Sequence, residues 1–403
     1  MLFLCSIFIM KDLGECMNWK VCLSILTSNV IFMAATYTML IPFLPMYLTK
    51  ELGVTAGTVN IWSGIVFSAT FVISAFMAPI WGRLADKKGK RLMAVRSSLL
   101  LTITYFMGGL VHTPLQLVFV RIFQGFAAGL WPMELALMST YAPPKKQGFC
   151  LGVMQGALTA GSVIGPLFGG FLADCFGMRM SFFMAAAVLF LNTLVLLFCI
   201  KETPPVTAVS DSRTDRPSLW KNPLIRRMLI YAVFVQMVIL LIQPVLTLYI
   251  QNMTGPIHNI IFISGLVFSL GGIASAASSP LWGRFGQFHG FRKSLTIAAA
   301  CAGICFLIQA VPNHLYYFAA TQFAVGLFFS GLYPSINALL AENTTSQEKG
   351  SVFGLLFSAQ QIGSIVGPLA GSAIAVCFGM KYIFIVAGLI LLAMSASLYK
   401  KPA

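Results

Sequence analysis

The chain has 403 residues, 58% of them hydrophobic and only 9% charged, with a mean hydropathy of +0.87. A soluble chain carries about 25% charged residues, so soluble multidomain enzymes are excluded. The net charge of +15 is scattered between apolar runs, which points away from a nucleic-acid partner and toward the cytoplasmic loops of a membrane protein.

Residues 1–10, MLFLCSIFIM, are apolar but lack the basic segment of a signal peptide and are too short to cross a bilayer. Met17-Asn18-Trp19-Lys20 offers a start as natural as Met1, directly before the first long apolar run. Runs of spanning length fall at 21–48, 58–81, 92–111, 115–140, 149–172 and 180–200. They resume at 228–250, 260–282, 294–312, 315–340, 350–374 and 382–399. A span takes about 20 apolar residues, so an all-α membrane protein of twelve transmembrane helices is predicted. The nine cysteines lie mostly inside these runs without Cys-x-x-Cys or Cys/His spacing, and read as packing residues rather than metal ligands.

With the amino terminus inside, 22 of the 26 Lys and Arg fall in cytoplasmic segments, while Lys50, Arg179 and Lys381 stay outside. That split predicts cytoplasmic termini. Arg121 alone lies within a span. The longest hydrophilic stretch, 201–227, reads as a cytoplasmic linker between an N-terminal half, 1–200, and a C-terminal half, 228–403.

The halves repeat. Trp81-Gly82-Arg83 recurs as Trp282-Gly283-Arg284, 201 residues on, and Gly129-Leu130-x-Pro132 recurs as Gly331-Leu332-x-Pro334, at 202. Gly161-Ser162-x-x-Gly165-Pro166-Leu167 recurs as Gly363-Ser364-x-x-Gly367-Pro368-Leu369. Two pseudo-symmetric six-span bundles with a site between them at the midplane is a transporter architecture.

Four features carry chemistry. Between spans two and three runs Gly82-Arg83-Leu84-Ala85-Asp86-Lys87-Lys88-Gly89-Lys90-Arg91, with one anion among five cations. Gly82 and Gly89 are expected to permit a tight turn; the plainer reading is a solvated basic loop. In span five, Gly161-x-x-x-Gly165-Pro166-x-x-Gly169-Gly170 combines glycines four apart, which let a neighbouring helix approach, with a proline that bends the span. In span four, Leu117-x-x-x-Arg121-x-x-Gln124-Gly125 places an arginine in the bilayer at a cost of about 2.5–3.5 kcal/mol at the helix centre. It must face water or a partner, or snorkel outward. On a continuous helix Arg121, Gly125, Ala128 and Pro132 share a face.

Glu134 is the only carboxylate well inside a span; Asp174 sits at the outer end of span five and Glu342 at the inner end of span ten. An apolar site disfavours the charged form of a carboxylate, so Glu134 either titrates usefully or reaches the inner surface. Thirteen residues separate it from Arg121, about 20 Å on an ideal helix, which argues against direct pairing unless Pro132 distorts the span. Asn29, Tyr37, Gln155, Gln236, Gln243, Gln322, Asn337, Gln360 and Gln361 are candidate cavity-lining polars, and many of the 34 Phe and 20 Met must face lipid or pack between helices.

The first three motifs resemble those of the major facilitator superfamily, in particular its twelve-span drug:proton antiporters. The resemblance implies that Gly82, Asp86, Gly89, Lys90 and Arg91 form an inner gate, and that Gly161, Gly165, Pro166, Gly169 and Gly170 are an antiporter element. It also implies that Arg121, with Gln124, serves proton coupling or substrate contact. Many such antiporters carry an acid in span one. None occurs between Val21 and Leu48, which leaves Glu134 as the candidate carrier. No phosphate-loop, His-Glu-x-x-His or Gly-x-Ser-x-Gly signature is present, so neither ATP drive nor enzymatic catalysis is expected, and no cofactor or metal is called for. The expectation is a proton-coupled exporter of small, mostly apolar molecules, a monomer in a bacterial inner membrane, working by alternating access. Its partners are then a small-molecule substrate, protons and the lipid bilayer. A dedicated metabolite, sugar or siderophore exporter, or a facilitator of the same fold, is the alternative.

Overall fold

A chain in lipid must satisfy its backbone internally, and helices do so within one segment. The computed structural model describes residues 18–143, 146–201, 222–255, 259–311, 314–344 and 349–400, and these are almost wholly helical. In the first half, α1 (Trp19–Met39) and α2 (Leu44–Lys50) make span one, α3 (Val59–Lys88) span two and α4 (Lys90–Leu110) span three. Then α5 (Pro114–Phe126) and α6 (Leu130–Tyr141) make span four, α7 (Gln147–Phe176) span five and α8 (Met178–Cys199) span six. The second half follows suit. Its span seven is α9 (Pro223–Ile242) with α10 (Leu246–Thr254), span eight is α11 (Ile260–His289) and span nine is α12 (Phe291–Gln309). Span ten is α13 (Leu315–Phe329) with α14 (Leu332–Glu342), span eleven α15 (Lys349–Cys377) and span twelve α16 (Lys381–Lys400).

Among the described residues, eleven segments are long and apolar enough to cross a bilayer. The twelfth, span four, is not among them; it consists of pieces of 13 and 12 residues. The expected linker falls largely on 202–221, outside the described residues, and its last residues, 223–227, belong to α9. Residues 1–17, including Met1 and Cys5, also lie outside them.

Two expectations are corrected. The turn after span two needs only Gly89, at φ 97° with its N–H bonded to the Ala85 carbonyl; Gly82 is helical, because α3 runs on through Lys88. Gly290 repeats the device at φ 89°. Span four, in turn, is not a continuous helix. It breaks at Ala127–Gly129, where Gly129 adopts φ 116°, a left-handed conformation that other residues resist. Pro132 therefore falls in the first turn of α6, where its missing N–H costs no helical bond. Spans one, seven and ten are broken as well. In the first two, Pro42 and Pro244 sit at the break and withhold a donor.

Each half is held by close backbone approach. A Cβ added to Gly161, Gly165 or Gly169 of α7 would collide with the carbonyl oxygens of Ile31, Ala35 and Met39 on α1. Gly363, Gly367 and Gly371 of α15 meet Val233, Met237 and Leu241 of α9 in the same way. Aromatic cores repeat too: Tyr47 packs on Phe182 at 5.1 Å between ring centres, and Tyr249 on Phe384 at 5.0 Å.

The two bundles touch through α7 on α11 and α3 on α15. The Ser269 hydroxyl donates to the Val163 carbonyl at 2.6 Å, and its counterpart Ser68 to Ile365 at 2.9 Å. Gly265 lies against the Pro166 carbonyl and Gly64 against that of Pro368. All of these contacts lie in the half of the membrane away from the chain termini. Toward the terminal face, Gly82, Gly152, Gly156, Gly283 and Gly354 on the same four helices have open space where a Cβ would go. The bundles are thus closed at the far face and splayed at the terminal face, with a cleft between them.

Gly165→Leu should cost about 1–3 kcal/mol, the range typical of overpacking, and visibly lower the thermal midpoint of the purified protein. Gly156→Leu on the same helix, with nothing within 4 Å of its Cβ, should leave the midpoint near wild type. Equal midpoints would show that the α1–α7 contact is ordinary packing.

Candidate functional site

Positions 201 or 202 apart occupy equivalent places in the two bundles, so residues that serve only the fold should match in character. Several do not. Arg121 corresponds to Gln322, Gln124 to Val325, Tyr105 to Phe306, Tyr37 to Ile239 and Glu134 to Ile336. Gln236 and Gln360 of the second half correspond to Ala34 and Leu158. These departures cluster into three groups.

The first surrounds Arg121 on α5, which is only 7% exposed and therefore does not snorkel. Its Nη1 donates to the Gln124 Oε1 at 2.8 Å, while Nη2 is buried without a partner. The Thr70 hydroxyl donates to the Arg121 carbonyl at 3.1 Å. The Tyr37 and Tyr105 hydroxyls are its other electrostatic neighbours, and Tyr105 donates to the Thr36 carbonyl at 3.1 Å. Among the described residues the one ion pair is Arg179–Glu51, at 2.8 Å on the far face, so Arg121 is a fixed charge balanced by dipoles rather than an acid. Of this group only Tyr37 is exposed, at 42%. Gly125, one turn further along α5 on the same face as expected, lets the helix close on Thr70 and Ile73 of α3; Ala128 lies in the break and Pro132 beyond it.

Glu134 forms the second group by itself. It is 0% exposed and neither carboxylate oxygen has a hydrogen-bond partner, so it does not reach the inner surface. The break at Ala127–Gly129 separates its helix, α6, from Arg121 on α5, and the two are not paired. Arg96 marks that break: its Nη2 reaches the Ser97 hydroxyl at 2.9 Å and the Ala128 carbonyl at 3.4 Å, with the guanidinium 3.5 Å over the Trp81 ring.

The third group is uncharged. Tyr333 donates to the Gln236 Oε1 at 2.5 Å, and Gln236 donates to the Ser364 hydroxyl at 3.1 Å, joining spans seven, ten and eleven. Other polar candidates serve packing: Gln309 donates to Gln322 at 2.6 Å, and Gln361 to Ser74 across the bundles at 3.3 Å. Asn29 is buried, with its carbonyl accepting from Asn192 at 3.3 Å. Tyr105, Thr70 and Tyr333 escaped the reading of single motifs. Subtracting one half of the sequence from the other exposes Tyr105, whose counterpart in the second half is Phe306.

The two remaining motifs divide by face. In span five Gly161, Gly165 and Gly169 meet span one, whereas Gly170 and the Pro166 carbonyl meet span eight. In the gate segment Lys90 donates to the Thr140 hydroxyl at 3.3 Å and Arg91 to the Leu197 carbonyl. The Asp86 side chain lies outside the described residues.

A buried carboxyl without a partner costs about 1–3 kcal/mol or more. Glu134→Ile, which installs the residue found at the equivalent position 336, is therefore expected to raise the thermal midpoint of the purified protein. A lowered midpoint would mean that Glu134 has a stabilising partner.

Comparison with known proteins agrees with this geometry. The family model described as Major Facilitator Superfamily matches residues 26–262 and 261–403. The chain is 35% identical over 379 residues to multidrug resistance protein MdtG of Klebsiella pneumoniae (strain 342), covering 93% of this chain and 92% of that protein. It is 35% identical over 380 residues to the MdtG protein of Salmonella typhimurium, covering 93% and 94%. Among solved structures, a bacterial homolog of the human lysosomal transporter Spinster, inward-facing and occupied, superimposes with a TM-score of 0.79 at 15% identity, over 96% of this chain and 97% of that one. The nucleoside transporter NupG also gives 0.79 at 15% identity, over 95% and 99%. The twelve spans in two repeated bundles, the cleft between them and these matches lead to one conclusion: the chain is a multi-pass membrane protein and a secondary transporter belonging to the major facilitator superfamily.

Proposed function

We propose that this chain is a multidrug exporter of small, mostly apolar molecules, driven by inward proton flow through alternating access, with Glu134 as the proton carrier. The observation that carries the coupling is the carboxyl of Glu134, fully enclosed and without a partner. Such a group is tolerated when neutral and disfavoured when charged, so it exchanges a proton only when the bundle admits water. The break at Ala127–Gly129 supplies a hinge beside it, and Arg121 supplies a fixed charge that never titrates. The relatives named for multidrug resistance, about 35% identical over 93% of the chain, support export of drug-like molecules.

In this reading the termini and the 201–227 linker are cytoplasmic, so the splayed terminal face is the inner one and the structure is inward-open. Substrate enters the cleft from the cytoplasm, lined in part by Tyr37. Its arrival moves α6 on the hinge and lets Glu134 lose its proton inward. Protonation from outside then favours release and resets the cycle. Asp86 and the basic residues around Gly89 close the inner face when the bundles rock. The protein acts as a monomer.

Two measurements test this. In proteoliposomes, Glu134→Gln should abolish uphill export driven by an imposed proton gradient while substrate binding persists, since the amide mimics the neutral acid. Arg121→Ala should impair both. Substrate-induced proton release from purified Glu134→Gln equal to wild type would place the carrier elsewhere. Export that ignores the gradient in wild type would make the protein a facilitator. Reporter fusions at Ala208 and Ala403 should both read cytoplasmic; an outside signal at either would reverse the assignment of faces.

A further inference from the structure

Along the two long helix pairs that close the far face, most contacts repeat. Along α7 and α11, Gly265 rests on the Pro166 carbonyl, Gly170 on Phe262, and Ser269 on the Val163 carbonyl. Along α3 and α15, Gly64 and Ser68 do the same against Pro368 and Ile365. Asp174 breaks the symmetry. Its carboxylate, on the last turn of α7, accepts a hydrogen bond at 2.9 Å from the backbone N–H of Phe262, in the first turn of the 30-residue helix α11. The equivalent of Asp174 is Val376, and among the described residues no acid of the opposite bundle bonds the start of α3.

Helix α11 needs this bond. Its own N-cap residue, Asn259, sits in a left-handed conformation at φ 66° and makes no side-chain capping bond. A helix start leaves free N–H groups and a partial positive charge, and an acid there stabilises both. Here the cap is supplied by the other bundle. We propose that Asp174 is the latch of the far-face gate: it caps α11 while the bundles are closed there, and the bond must break for the far face to open. This rests on alternating access, but not on Glu134 or on protons.

The test uses the full chain with bio-orthogonal spin labels in place of Met180 and Tyr382, which are exposed at the far-face starts of α8 and α16, and pulsed dipolar distance measurement. Asp174→Ala should add a longer distance, raising the ratio of open to closed far face about tenfold, the effect of losing a charged cap. Asp174→Asn should shift it less, because the amide oxygen still accepts. Phe262→Pro removes the donor at a position where a helix tolerates proline and leaves Asp174 in place; it should lengthen the distance as well. Distributions for Asp174→Ala and Phe262→Pro that superimpose on wild type overturn the proposal, and so does a loss of thermal stability without lengthening.

Discussion

Apolar helices gain nothing from leaving lipid for one another, so a bundle in a membrane is held by how closely its backbones approach. In this chain that approach is concentrated where α7 lies on α1 and α15 on α9, through two sets of three glycines. Everything else is placed relative to those contacts. Spans one and seven, pinned along one side, keep exposed stripes on another, with Ser24, Ser28 and Phe32 on α1 matched by Arg226, Ile230 and Phe234 on α9. The remaining face of α7 is free to meet the opposite bundle, so one motif both assembles its half and forms the sliding boundary.

That boundary can open because it is held by few directional bonds. Serine hydroxyls on carbonyls, glycines against proline carbonyls and one capped helix close the far face. Glycines on the terminal-face ends of the same helices face open space, which suits a second arrangement in which those ends meet. Two packings of the same rigid bundles that differ by few contacts are the physical basis of a two-state transporter.

The chemistry sits where the repeat fails. A buried arginine balanced by dipoles, a buried carboxyl with no partner and a neutral glutamine–tyrosine network each replace a bland counterpart in the other half. The unpartnered Glu134 carboxyl and Arg121 Nη2 cost stability that the fold does not require, and the break in span four keeps the two ionisable groups on separate helical pieces. The asymmetry gives the first half the charges and the second half neutral hydrogen-bonding groups.

The sequence by itself determined the twelve spans, the two halves and the family, because hydrophobic length and glycine spacing are local properties that a bilayer reads directly. It also singled out Arg121 and Glu134, since charge within an apolar run is conspicuous. It could not say that span four is two helices, because a left-handed Gly129 is legible only once the chain turns there. Nor could it show that Gly82 stays helical while Gly89 turns, or that Glu134 is fully buried rather than at the inner surface. Which face is open, and that Asp174 caps a helix of the other bundle, were decided by tertiary structure alone. Those depend on contacts between residues nearly ninety or more positions apart, and no local pattern encodes them.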